Sequence, residues 1–192
     1  MELYVKDGRK FTRVTNIINT VLRKPWLETW RGNLGNTEAD KKRDEAAKIG
    51  TLIHKACNNP SLSYLETPEN QAKVDAYFRW SELMVEEFIA REETIFNEKW
   101  GYAGTLDQRV ILKGEKLETI LDIKTGAQDD HFFRMQTAAY QNGDGVKAGR
   151  RLIVSLKELT KEGLPRIYSF DNHQQDFQAF LNCLSLYRFL QT

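Results

Sequence analysis

Apolar and polar residues alternate through LYV and KFTRV on either side of Asp7-Gly8, which predicts a β-hairpin closed by a type I′ turn. The next run, NIINTVLR over 16–23, places Ile17, Ile18, Val21 and Leu22 on one side of a helix. Thr15 or Asn16 is its expected cap, and the chain must leave the helix before Pro25. RGNLGNT, residues 31–37, is rich in turn formers and reads as a loop. Helical spacing resumes over 40–58 and, after the loop NNPSLSYLETPEN, over about 68–90. Strands are then expected at about 91–99, 103–113 and 117–125, with turns at Gly101 and at Gly114-Glu115. A helix over 130–142, strands over 150–158 and 165–170, and a helix over 173–190 complete the pattern.

Composition narrows the class. With 192 residues, 41% of them hydrophobic, the chain is expected to form one domain, 1–192, with a sizeable core. Its longest apolar stretches are as short as RLIVSL, so no transmembrane helix is expected. The charged opening MELYVKDGRKF lacks an apolar signal region, and a cytoplasmic protein follows. Two cysteines, Cys57 and Cys183, are expected to be buried free thiols, and four thiolates for an iron-sulfur cluster are lacking. Trp26 and Trp30, four apart, read as packing residues rather than base-stacking platforms. The Gly-rich loop NGDGVKAG has no P-loop lysine and is not a nucleotide cradle.

Net charge is only +1, but it is unevenly spread: residues 1–55 carry a net +5 and residues 56–122 a net −6. Basic clusters at Lys41, Lys42, Arg43 and at Lys147, Arg150, Arg151 are of the kind that tracks phosphates. His131 and His173 lack partners at metal-ligand spacing and read as surface residues.

The candidate chemistry lies in GTLDQ and LDIKTG. A strand alternates faces, so Asp122 and Lys124 point one way while Ile123 points into the core, and Asp107 comes from the neighbouring strand. An exposed pair of this kind would be worth at most about 1 kcal/mol. Two carboxylates and an ammonium group converging there instead suit a divalent metal and an attacking water. In GTLIH, Gly50 and His54 lie one helical turn apart, Gly50 allowing close backbone approach and His54 offering an imidazole. In QTAAY, Gln136 and Tyr140 share a helix face.

The order Gly-x-x-x-His, Gly-x-x-Asp, Asp-x-Lys, Gln-x-x-x-Tyr resembles the RecB-type branch of the PD-(D/E)XK nuclease superfamily, from Gly50 to Tyr140 and more loosely along the whole chain. The resemblance implies an α/β fold, a mixed central β-sheet with helices on both faces and a restriction-endonuclease-like core. It makes His54, Asp107, Asp122 and the Ile123 carbonyl metal ligands, and Lys124 the catalytic lysine. Gln136 and Tyr140 are then associated with DNA contact and with holding the site. The proline that names the superfamily is absent; Leu106 precedes Asp107, as is normal in this branch. A further acidic position maps to Glu93 or Glu98.

Hard oxygen ligands with one imidazole favour Mg2+ or Mn2+. The implied activity is hydrolysis of DNA phosphodiesters at ends or in single strands. An exonuclease is suggested by the leading segment VTNIINTVLRKPWLETW, which is like that of small phage and mitochondrial-genome-maintenance nucleases. Residues 1–45 would supply a segment covering the DNA. With no motor motif, unwinding would come from a separate helicase or recombination protein. The alternatives are a structure-selective endonuclease, and an inactive nuclease fold that binds DNA. Retention of His54, Asp107, Asp122 and Lys124 argues against the last.

Overall fold

Asp7 and Gly8 both have positive φ, 49° and 75°, as a type I′ turn requires, and they close strand β1 (Leu3–Lys6) on β2 (Arg9–Arg13). The structure is a computed structural model that describes residues 3–22, 24–62, 65, 67–127 and 129–192. The end of the expected 16–23 helix at Arg23, and part of the expected 58–70 loop at residues 63, 64 and 66, lie outside the described residues. Helices α1 (Val14–Val21), α2 (Pro25–Leu34), α3 (Asn36–Asn58) and α4 (Pro68–Met84) come next. Strands β3 (Val85–Asn97), β4 (Tyr102–Leu112) and β5 (Glu118–Lys124) follow, then α5 (Asp130–Gln141), β6 (Arg150–Ser155), β7 (Arg166–Ser169) and α6 (His173–Phe189). Among the described residues no helix is long and apolar enough to cross a membrane.

Four local expectations are corrected. Helix α1 begins at Val14, directly on leaving β2, with Arg13 as an N-cap that makes no side-chain capping bond. Thr15 and Asn16 therefore lie inside the helix; burial of Val14, Ile17 and Ile18, about 1.5–3 kcal/mol each, outweighs a cap of about 1 kcal/mol. The 31–37 segment is not a loop. Pro25 starts α2, which runs to Leu34, and one residue, Gly35 at φ 79°, separates it from α3. Helix α4 stops at Met84 rather than near 90, because Val85 onward pairs with β4 from Val85↔Leu112, a long-range contact that overrides helical propensity in EEFIAREE. Trp26 is half exposed, and α2 buries none of its residues, so the tryptophan pair is not core.

The seven strands form one mixed sheet in the order β1-β2-β4-β5-β6-β7, with β3 antiparallel on the opposite edge of β4. Strands β1–β2, β4–β5 and β6–β7 are antiparallel, while β2–β4 and β5–β6 are parallel. Helices cover both faces. On one, Val14, Ile17 and Ile18 of α1 meet Phe132, Ala139 and Tyr140 of α5 and Phe180 and Leu184 of α6. On the other, Ile53 and Cys57 of α3 and Val74, Tyr77 and Trp80 of α4 pack on Val110, Leu121, Ile123, Leu152 and Val154. This is the α/β architecture with a mixed central sheet that the element order predicts.

One feature of the sheet positions the candidate residues. The edge of β4 away from β3 is shared: Tyr102 and Ala103 pair with β2, and Gln108 to Ile111 pair with β5. Gly104 to Asp107, between them, have no strand partner on that edge. β2 and β5 run toward this gap from opposite ends and stop there, at Arg13 and Lys124. On its other edge β4 is also interrupted, since Arg91↔Gln108 and Glu93↔Leu106 are paired and Glu92 and Asp107 are not. Glu92 has φ 48°, a left-handed conformation costing on the order of 1 kcal/mol for a residue with a side chain. Leu106 consequently packs in one helical layer, while Gln108, two residues on, bonds into the other. Asp107, between them, lies at the seam of the two layers.

Candidate active site

The gap in the sheet gathers the chemistry. Where the β4–β5 ladder ends at Gln108↔Leu121, the next residues on the two strands are Asp107 and Asp122. Asp107 Oδ2 accepts a hydrogen bond from the Ile123 N–H at 2.7 Å, replacing the backbone partner that the ending ladder no longer supplies. Its other oxygen, Oδ1, is 3.4 Å from His54 Nδ1 on α3. Asp122, 2% exposed at its side chain, has Oδ2 2.6 Å from Lys124 Nζ, two residues along the same strand face. That buried oxygen has the Lys124 ammonium as its close partner. Lys124 Nζ also lies 5.2 Å from the centre of the Phe133 ring.

Two glycines admit the surrounding elements. A Cβ on Gly104 would stand 2.5 Å from Tyr140 Cε1, so the tyrosine ring lies flush on bare backbone at the gap. A Cβ on Gly50 would stand 3.1 Å from Thr125 Oγ1, which marks the close approach of α3 to the end of β5. Helix α5 is started by Asp129, whose Oδ1 accepts from the Phe132 N–H at 3.2 Å. It delivers Gln136 and Tyr140 one turn apart, with Gln136 Nε2 donating to the Tyr140 hydroxyl at 2.9 Å. Gln136 Oε1 is buried and unpartnered.

The charges are mutually dependent. Burial works against the His54 imidazolium, yet the Asp107 carboxylate beside it holds the histidine above its ordinary value. Burial would raise Asp107, but His54, Lys124 and the Ile123 N–H together hold its carboxyl below the usual range. Burial pushes Asp122 up to about 6, with the neighbouring Asp107 charge adding to it and Lys124 opposing. Burial also raises the Tyr140 phenol, which stays neutral. The Cys57 thiol, buried behind His54, is pushed up to about 12, an inert thiol; Cys183 is free and half buried.

All of His54, Asp107, Asp122, Ile123, Lys124, Gln136 and Tyr140 thus border the gap or the layer behind it. At Ile123 the engaged group is the N–H. Neither further acidic candidate joins them. Glu93 is held by Arg109, Oε1 accepting from Nη2 at 3.1 Å, and Glu98 pairs with Lys6 at 2.6 Å on the surface. Arg151 is corrected from a phosphate-tracking residue to a core one: it is 1% exposed and donates to Asp176 Oδ2, Arg134 O and Phe170 O. Lys42 pairs with Glu38, Arg43 with Asp40 and Asp44, and Arg150 with Glu115, which leaves Lys41 and Lys147 as the exposed cations of the two clusters without an ion pair among the described residues. His131 is exposed, while His173 is half buried, stacked on Phe177 and 3.1 Å from Asn142 Nδ2. Sequence reading missed Gln108, whose signal was its place directly after Asp107.

Among the described residues no group of three or more His, Cys, Asp or Glu side chains stands close enough together to hold a metal as arranged. Asp107 faces the His54 ring and Asp122 faces the Lys124 ammonium, so each carboxylate already has an internal partner. The donor chemistry nevertheless fits a hard divalent ion. It comprises two carboxylates, Asp107 and Asp122, and the His54 imidazole, the hard oxygen and nitrogen donors such an ion takes.

No family model matches the chain, and no curated protein matches it. Among solved structures the chain is similar to the crystal structure of SSO0001, at 14% identity and a TM-score of 0.42, over 95% of this chain and 79% of that one. So distant a likeness leaves the chemistry to be argued from the residues themselves.

Proposed function

We propose that the chain is a divalent-metal-dependent deoxyribonuclease of the RecB-type PD-(D/E)XK kind, hydrolysing phosphodiesters at DNA ends or in single strands. The observation that carries the reading is the meeting of His54, Asp107, Asp122 and Lys124 at the stretch of β4 left without a strand partner on one edge among the described residues. A structural role explains them poorly. Buried ion pairs of this sort are often no better than apolar packing, and Asp122 is a carboxylate 2% exposed at its side chain.

His54, Asp107, Asp122 and the Ile123 carbonyl would hold Mg2+ or Mn2+. Bound there, such an ion lowers the pKa of a water and offsets charge on the phosphate. Lys124 places a compact ammonium within 2.6 Å of Asp122 and can orient the nucleophile or meet charge developing on a phosphate oxygen. Asp107 does a second task by fixing the Ile123 backbone through its N–H. Tyr140, packed on Gly104 and hydrogen-bonded to Gln136, closes the gap from behind and keeps bulk water from that side. Action on ends rests on the resemblance of the leading segment. Unwinding of duplex would fall to a separate protein.

The test uses end-labelled linear single strands, duplex and circular single strands, each with Mg2+, Mn2+ or EDTA. Loss of linear strands with the circle intact, and only with metal, is expected. Cutting of the circle would transfer the reading to an endonuclease, and no cleavage under any condition would overturn it.

A further inference from the structure

Four polar side chains from four elements, running from buried Tyr77 and Gln108 through half-buried Asn58 to exposed Glu92, form one chain of hydrogen bonds beside Asp107. The Tyr77 hydroxyl on α4 donates to Gln108 Oε1 at 2.7 Å, and Gln108 Nε2 on β4 donates to Asn58 Oδ1 at 2.8 Å. Asn58 Nδ2, at the end of α3, reaches Glu92 Oε1 at 3.4 Å. Gln108 and Tyr77 are wholly buried. Glu92, at the far end, is the strained residue opposite Asp107 in the interrupted β3–β4 ladder. Arg91, next to it, donates to the Cys57 carbonyl at 3.1 Å and so pins the last turn of α3.

Each bond acts on the same distance. Asn58 is one helical turn beyond His54 on α3, and Gln108 is the residue after Asp107 on β4. Tying Asn58 to Gln108 therefore fixes the height and rotation of the helix against the strand at the level where His54 Nδ1 meets Asp107 Oδ1. An amide is suited to this because it accepts from Tyr77 and donates to Asn58 at once. An apolar residue of similar size would fill the space but leave both partners buried and unpaired.

We infer that Gln108 is a positioning residue, which sets the spacing of His54 and Asp107 by locking α3 to β4 through Asn58, without touching any reacting atom. The inference deepens the proposed nuclease reading and rests on it for its consequence, though not for its geometry.

The experiment compares Gln108→Leu and Asn58→Ala with Val74→Ala, a cavity in the same helical layer at a side chain that takes no part in the hydrogen-bond chain. Two quantities are read on the full chain. The first is the imidazole 15N shifts of His54 in metal-free protein, assignable among three histidines. The second is Mn2+ affinity, by electron paramagnetic resonance, with the metal alone. Gln108→Leu and Asn58→Ala are expected to move the His54 signals and weaken Mn2+ binding about 10- to 100-fold, as loss of a group supporting a ligand does. Val74→Ala should lower melting temperature and leave both readouts at wild type. If Gln108→Leu behaves like Val74→Ala, Gln108 is packing only and the inference falls. Should Gln108→Leu fail to fold, half-buried Asn58→Ala decides by the same two readouts. A wild-type chain that takes up no Mn2+ would overturn the metal reading instead, and the imidazole shifts would still decide the role of Gln108.

Discussion

Replacing Gly104 by alanine adds a single carbon at the most crowded point of the gap. That carbon would sit 2.5 Å from Tyr140 Cε1, with two further ring atoms at 3.4 Å. Normal carbon contacts are roughly 3.5 Å, so the ring must retreat by about 1 Å. Tyr140 is 2% exposed and tethered to Gln136, which leaves it no free direction. Overpacking of this kind costs about 1–3 kcal/mol. In a chain of this size that corresponds to a melting temperature lower by roughly 2–12 °C. A catalytic surround displaced by about 1 Å loses on the order of 100-fold in rate. Calorimetry and single-turnover cleavage of a labelled single strand measure the two losses. The internal control is Gly149→Ala. There the new carbon would stand 2.6 Å from Leu117 Cδ1, but Leu117 is 63% exposed and its end can swing into solvent, which leaves only the 3.1 Å contact with Leu117 Cβ, so a smaller change is expected. A double-mutant cycle completes the test: in a Tyr140→Leu background the cost of Gly104→Ala should largely vanish. If Gly104→Ala melts and cleaves like wild type, or costs the same without the tyrosine ring, the packing of Tyr140 on the gap is not what holds the site.

Three other outcomes are expected. Lys124→Ala should keep Mn2+ affinity, since it removes a charge that repels the ion, yet lower single-turnover cleavage by on the order of 3–5 kcal/mol of transition-state stabilisation, with poor rescue by arginine; near-normal cleavage would remove Lys124 from the chemistry. Metal-free protein should gain stability as pH falls from about 8 to about 6. His54, raised when folded, stabilises most below its unfolded value of 6.5 and loses this as pH rises, while Asp122, raised to about 6, favours its protonated form in the fold. Asp122→Asn should flatten that slope in melting curves taken in EDTA, and an unchanged slope would count against the buried acid. Arg151→Met should cost about 3–5 kcal/mol in urea unfolding by leaving Asp176 and two carbonyls short of a buried donor, with cleavage by the folded fraction unaltered; an unshifted midpoint would show the network to be dispensable.

What the sequence made legible was whatever depends on near neighbours. Asp122, Ile123 and Lys124 alternate faces by the geometry of any strand, and Asp7-Gly8 demands its turn, so both were readable without knowing what lay across the sheet. The order of strands and helices around Asp107 and Asp122 carried the mixed α/β architecture for the same reason. Long-range facts were not readable. Glu92 is left-handed where the β3–β4 ladder skips the Glu92 and Asp107 positions, and nothing in AREET marks it. Arg151 looks like a surface cation until Asp176, 25 residues later, is folded onto it. Val14 starts a helix without a cap because the core that buries it is built from α5 and α6. Gly104 and Gly50 were visible as motif letters, but the atoms that need their missing side chains, on Tyr140 and Thr125, appear only in three dimensions.

The division of one edge of β4 between β2 and β5 also orders events in time. Thr12 finds its partner Tyr102 only after about 90 intervening residues have been made, a long loop to close and a slow contact to form. The opening hairpin can close its own turn within microseconds, but it has nothing to dock on until β4 exists. β4 with β3 and β5 can assemble first, as antiparallel neighbours close in sequence. The gap that holds the candidate chemistry therefore gains its β5 side early and its β2 side later, when Arg9–Arg13 returns to pair with β4. A chain stalled before that return would carry both carboxylates and the lysine on a finished strand pair, facing an open edge rather than a site.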